Sequence, residues 1–211
     1  MTAHIAAFDD AFARCPLVAI LRGVKPDEVE GIGDELVGAG FSLIEVPMNS
    51  PDPLDSVARL AKRFEGRAIV GAGTVLRVED VAAVEDAGGT MIISPNANLD
   101  VIRASAAKGL VSLPGIATPT EAFGALDAGA TALKLFPAEA SAPAVVKAIL
   151  AVLPKGTRIL PVGGIAPDTL ARWHAAGAAG FGLGSALYKP GMTAADVGAR
   201  ARAFVAARAV L

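Results

Sequence analysis

In the stretch TALKLFPAEA (131–140) a single lysine, Lys134, interrupts an apolar, strand-like run. Lysine is almost never fully buried unless something pairs with it or uses it, and removal from water lowers its pKa. A shift from about 10.4 to about 7 is worth roughly 4–5 kcal/mol at 1.36 kcal/mol per unit. The position therefore calls for a pairing carboxylate or for chemistry by the neutral amine. A neutral amine can attack a ketone to form a Schiff base. A nearby carboxylate can carry protons through carbinolamine formation, bond cleavage and hydrolysis. Glu45, in SLIEVPM (42–48), is an acid in a comparable apolar run. Strand alternation puts Ala132, Lys134 and Phe136 on one face and Leu133 and Leu135 on the other, and Glu45 is opposite in parity to Ile44 and Val46. If the aliphatic set packs on helices, Lys134 and Glu45 point the other way. A structural buried ion pair fits the same pattern.

Other chemistries find little support. The chain has two histidines: His4 precedes the first strand, and His174 sits mid-helix beside Trp173 on a face read as solvated. No Cys/His/Asp group has metal-ligand spacing, which disfavours metal-assisted enolate chemistry and a metal-dependent epimerase. A Ser-His-Asp mechanism lacks a usable base. No metal or cofactor is expected. Cys15 is the only cysteine, so an intrachain disulfide is impossible.

The elements that must position these residues recur along the whole chain. Strand candidates are LVAILR (17–22), SLIEVPM (42–48), AIVGAGT (68–74), MIISP (91–95), LVSLPGI (110–116), TALKLFP (131–137), RILPVGG (158–164) and GFGLGS (180–185). Helical patterns begin near Pro26, Asp52, Arg77, Leu99, Thr118, Pro143, Pro167 and Thr193. Ala-Gly at 39–40, 87–88, 128–129 and 176–177 reads as a recurrent helix C-cap. Eight βα units without a gap predict an α/β fold, a closed parallel (β/α)8 TIM barrel forming a single domain over residues 1–211. A helix over about residues 4–14 is expected to plug its N-terminal end. A doubly wound open sheet is the alternative, weakened because no GxGxxG opens a helix after the first strand.

In such barrels chemistry sits at the C-terminal strand ends. Arg22, Glu45, Thr74, Lys134, the pair Gly163-Gly164 and the run Gly182-Leu183-Gly184-Ser185 fall there. PVGGI before Pro167-Asp168, and GLGSALY, are read as glycine pairs ahead of helices, where N–H groups bind phosphate. Ser185 adds a donor. With a net charge of −2 and no Lys/Arg run, nucleic acid is an unexpected partner. The longest apolar runs are strand-sized, so no membrane span is expected. MTAHIAAFDDAFARC lacks the pattern of a signal peptide, and the expected location is the cytoplasm.

VAILRG (18–23), IEVPMNSP (44–51), VGAGTVL (70–76), ISPN (93–96), LPGIATPTEA (113–122), ALKLFPA (132–138), PVGGI (161–165) and GLGSALY (182–188) resemble, in order and over nearly the whole chain, the 2-keto-3-deoxy-6-phosphogluconate and -galactonate aldolases. The resemblance implies Lys134 as Schiff-base lysine and Glu45 as general acid/base. It places Thr74 beside the pyruvate carboxylate, and Arg22, Gly163, Gly164 and Ser185 around the anionic ends of the substrate. It also implies a homotrimer without a cofactor, cleaving a phosphorylated sugar acid to pyruvate and glyceraldehyde 3-phosphate. Asn49 stands where gluconate-type enzymes usually carry an arginine, and Val162 where they usually carry threonine. Both departures resemble the galactonate branch. Asn49 and Ser50 can also be read as helix-start residues before Pro51. Arg22 is left open between the carboxylate and phosphate ends. A non-catalytic phosphate-binding barrel is the competing class.

Overall fold

The computed structural model describes residues 2–211. Among these residues the elements run α1 (Ala3–Arg14), β1 (Leu17–Ile20), α2 (Val29–Gly38), β2 (Leu43–Pro47), α3 (Pro53–Arg63), β3 (Ile69–Gly73), α4 (Val78–Asp86), β4 (Met91–Ile93), α5 (Leu99–Ala107), β5 (Val111–Leu113), β6 (Gly115–Ile116), α6 (Pro119–Asp127), β7 (Leu133–Leu135), α7 (Pro143–Leu150), β8 (Ile159–Pro161), α8 (Leu170–Ala175), β9 (Phe181–Leu183) and α9 (Ala194–Arg208). Single 3-10 turns stand at Ala138–Ala140 and Pro167–Thr169. The expected α/β barrel is what forms.

All strand pairings are parallel, in the orders β5-β4-β3-β2-β1-β9 and β6-β7-β8. A bridge between Val162 and Gly182 joins β8 to β9 and closes the ring. The run expected as one strand over 110–116 is two, because Pro114 has no N–H to give the ladder. Its carbonyl still accepts from the Lys134 N–H at 2.9 Å. Gly115 lets the second piece pass against β4's exit, where a Cβ would meet the Pro95 carbonyl. The strands are also shorter than expected. Arg22, Thr74, Gly163 and Gly164 lie just past the ladders, in the turns that follow them.

Alternation divides the core into two layers. Leu17, Ala19, Ile44, Val46, Leu133 and Leu135 face outward into the helix-packed layer. Val18, Leu43, Met91, Val111, Ala132 and Leu160 face the barrel axis, where Phe8, Ala11 and Phe12 of α1 join them. The N-terminal helix is thus the expected plug. Arg158 fastens it, bonding Asp9 at 2.7 Å and lying 5.2 Å from the ring centres of both Phe8 and Phe12. Helices α4 and α6 end in Ala-Gly caps, with Gly88 at φ +83° and Gly129 at φ +101°, a region open to glycine. Helix α6 opens with a full capping box between Thr118 and Glu121.

Two α-helices start about one turn later than expected, α2 and α8, the latter at Leu170 behind the 3-10 turn at Pro167–Thr169. Helix α2 begins at Val29, because Pro26–Glu28 form a turn closed by Glu28 and Val29 N–H groups on the Lys25 carbonyl. No helix follows GLGS directly: Leu187 and Tyr188 both donate to the Gly184 carbonyl in a turn, and α9 starts where expected, at Ala194 with Thr193 as its N-cap.

Candidate active site

Strand β7 carries Lys134 in register with Gly115 and Leu160, its side chain turned to the axis and 5% exposed. Its Nζ lies 4.7 Å from the centre of the Phe136 ring. Strand β2 carries Glu45 in register with Ile20 and Gly71, 2% exposed. Glu45 sits where it does because β3 is bare beside it: a Cβ on Gly73 would occupy the space of the carboxylate. Gly73 is therefore part of the site, a residue that sequence reading passed over inside VGAGTVL.

The two groups do not form an ion pair. Neither takes part in the ion pairs among the described residues, and Glu45 Oε2 is buried with no hydrogen-bond partner. Burial pushes the Glu45 carboxyl up to about 7, against the opposing pull of Lys134 and Arg22. Burial likewise lowers the Lys134 ammonium; Glu45 opposes the shift and Arg22 adds to it. Both groups are driven toward their neutral forms, which suits a nucleophilic amine and a proton-carrying acid near neutral pH.

Beyond the ends of β1, β2 and β3, Arg22 donates through Nη1 to Asn49 Oδ1 at 2.5 Å and to Thr74 Oγ1 at 3.4 Å. Thr74 holds φ at +55°, a left-handed conformation that costs a non-glycine residue about 1–3 kcal/mol and concentrates at ligand sites. Asn49 and Ser50 do not start a helix: Asp52 precedes α3, and Ser50 Oγ instead accepts from the Gly23 N–H at 2.9 Å. They tie the loop after β2 to the loop after β1.

A cavity of about 730 Å³ runs from this centre across the rim, lined by Arg22, Lys134, Phe136, Gly163, Gly164 and Ser185. Val162 is 7% exposed and lines both it and a pinhole of about 10 Å³ between Glu45 and Lys134. Gly163 and Gly164 have φ of +106° and +65°. The N–H groups of Gly164 and Ser185 have no hydrogen-bond partner among the described residues. The expected α-helix N-termini do not supply this end of the cavity: GLGS runs into a turn, and α8 begins only at Leu170, past the 3-10 turn at Pro167–Thr169. Free loop N–H groups do, together with two cations that sequence reading missed. Lys189 lies just past GLGSALY, and Arg200 reaches in from α9, donating to the Ala186 carbonyl at 3.2 Å. No motif marks Arg200, since only packing of the last helix brings it here. A hollow of about 740 Å³ at the opposite end, between α1 and α3, meets none of the strand exits. No three His, Cys, Asp or Glu residues cluster as metal ligands among the described residues.

A parallel barrel with a buried lysine and carboxylate at the strand exits, and a glycine-rich rim beside them, has the parts that Schiff-base chemistry needs. The KDPG and KHG aldolase family model matches residues 8–201, and the chain belongs to that family. It is similar to the 2-dehydro-3-deoxy-6-phosphogalactonate aldolase of Escherichia coli (strain K12), with 44% identity over 92% of this chain and 95% of that protein. A Rhizobium meliloti (strain 1021) protein named "Probable 2-dehydro-3-deoxy-6-phosphogalactonate aldolase" is 49% identical over 91% of each chain. A solved structure described as "Native KDPGal structure" superimposes with a TM-score of 0.92 at 44% identity, covering 93% of this chain and 96% of that one.

Proposed function

We propose that this chain is a class I aldolase that cleaves 2-dehydro-3-deoxy-6-phosphogalactonate to pyruvate and glyceraldehyde 3-phosphate. The observation that carries the reading is the buried Lys134 amine, unpaired beside the protonatable Glu45 carboxyl. Neutral Lys134 attacks the C2 ketone, and the carbinolamine loses water to give the iminium. Glu45 takes the C4 hydroxyl proton as C3–C4 breaks, and the bonding electrons pass to the iminium. Glyceraldehyde 3-phosphate leaves, Glu45 returns a proton to C3 of the enamine, and water releases pyruvate and the free amine. Arg22, placed against Thr74 and Asn49, is assigned to the pyruvate carboxylate. Gly163, Gly164 and Ser185 are assigned to the phosphate.

The galactonate epimer is supported by the two relatives, both named for it, and by Asn49 and Val162, which depart from the gluconate pattern. Val162 offers no hydrogen bond to the C4 hydroxyl, which supports some activity on the gluconate epimer as well. The working form is taken to be a cytoplasmic homotrimer of one-domain chains, and light scattering that returns a single chain mass would overturn the trimer. Among the described residues no helix is long and apolar enough to cross a membrane.

Incubation with pyruvate and borohydride tests the central claim. A stable adduct is expected on Lys134 alone, forming at pH values well below the usual lysine range. No adduct would return the chain to a phosphate-binding barrel without Schiff-base chemistry, and an adduct on Lys108, Lys147 or Lys155 would overturn the assignment to Lys134.

A further inference from the structure

We infer that Glu139 is a charge gate on the phosphate end of the cavity, its carboxylate weakening the hold of that end on anions. The inference rests on the phosphate-bearing substrate proposed above. The 3-10 turn Ala138–Ala140 is pinned to the exit of β8 by the Ala138 N–H, which donates to the Val162 carbonyl at 2.8 Å. That bond sets Glu139 against the glycine pair. Its Oε2 stands in the space a Cβ on Gly163 would need, and a Cβ on Gly164 would lie 3.1 Å from Glu139 Cβ. The glycines are thus bare on the side where this acid packs. Glu139 is exposed, lines the same cavity as Ser185, Lys189 and Arg200, and takes part in no ion pair among the described residues.

A site for a phosphate dianion therefore holds an unneutralised carboxylate at its edge. The repulsion acts on any ligand that seats a phosphate on these loops, substrate and phosphorylated product alike. Binding that is uniform between ground and transition states changes KM without aiding the chemical step, so weakening it favours departure of the phosphorylated fragment. For a dianion some 6 Å from a unit charge in a largely solvated cleft, the effect is on the order of tenfold in affinity.

The test is calorimetric titration of inorganic phosphate into the parent, Glu139→Gln and Glu65→Gln. The last removes the same charge from an exposed acid lining the hollow at the opposite end of the barrel. Glu139→Gln should bind phosphate about tenfold more tightly than the parent, by an amount that shrinks with added salt, and Glu65→Gln should match the parent. Steady-state kinetics should show a lower KM for the phosphorylated substrate in Glu139→Gln. Equal or weaker phosphate binding by Glu139→Gln, an equal gain in Glu65→Gln, or no phosphate binding by any of the three would overturn the gate. Because the titration needs no turnover, failed borohydride trapping with an intact phosphate response would sink the aldolase reading and leave the gate standing. The reverse pattern would sink the gate alone.

Discussion

Glu45 gains its chemical character from what surrounds it rather than from a partner. It is buried, Oε2 is unbonded, and its carboxyl is raised to about 7, so it can both take and return a proton near neutrality. Glu45→Gln keeps the shape but cannot cycle a proton. Turnover should fall by about 10²–10⁴ while the pyruvate adduct on Lys134 remains trappable; near-normal turnover would make Glu45 structural. Val162 is the second residue that defines this site. The two epimers differ at C4, whose hydroxyl Glu45 is to deprotonate, and Val162 stands over the space between Glu45 and Lys134. A site that hydrogen-bonds a hydroxyl discriminates more sharply than an apolar one. Val162→Thr should raise relative kcat/KM on the gluconate epimer by about fivefold, the worth of one ordinary hydrogen bond of about 1 kcal/mol. An unchanged epimer ratio would show that this position does not read C4.

The elements divide the labour between the ends of the barrel. Strand exits carry the chemistry, and α1 closes the other end with Phe8 and Phe12 against the axial layer. Phe8 is fully buried, and Phe8→Ala should cost about 3–5 kcal/mol. It should leave kcat of the folded protein near the parent value, because α1 lies at the end remote from Lys134. Denaturant unfolding alongside kcat measured well below the melting point checks this; a large kcat loss at unchanged stability would mean that the plug shapes the site. The strand exits also show where pattern reading stops. The alternation that turned Lys134 and Glu45 inward was legible because strand parity is local. No helix starts directly after GLGS, since glycines followed by a short apolar run suit a turn as well as a helix start.

At the scale of the molecule, the buried pair makes stability depend on pH. Glu45 titrates at about 7 in the fold against 4.5 unfolded. The stability that its protonated form contributes is full below pH 4.5 and is lost as pH rises through 7. Glu45→Gln has no such proton to lose, so it should gain on the parent between pH 5 and pH 8, by on the order of 3 kcal/mol. Lys134 has its pKa lowered, so the stability of its neutral form is present above pH 10.5 and is lost as pH falls through its folded value. Unfolding midpoints of parent and Glu45→Gln at several pH values decide the point. A constant gap across the range would mean that burial does not hold the Glu45 proton.

The amino-acid sequence determined the repeating βα order, the plugging helix and the inward parity of Lys134 and Glu45. These depend on periodicity, caps and the aversion of charge to an apolar strand, all properties of neighbours along the chain. It did not determine that the amine and carboxylate stay unpaired, that Gly73 is bare to make room for Glu45, or that Asn49 and Thr74 hold Arg22. Nor did it bring Glu139 onto Gly163 or Arg200 to the rim from α9. Each of those facts joins residues from separate elements of the fold. Ring closure sets their separation, and no local pattern encodes it.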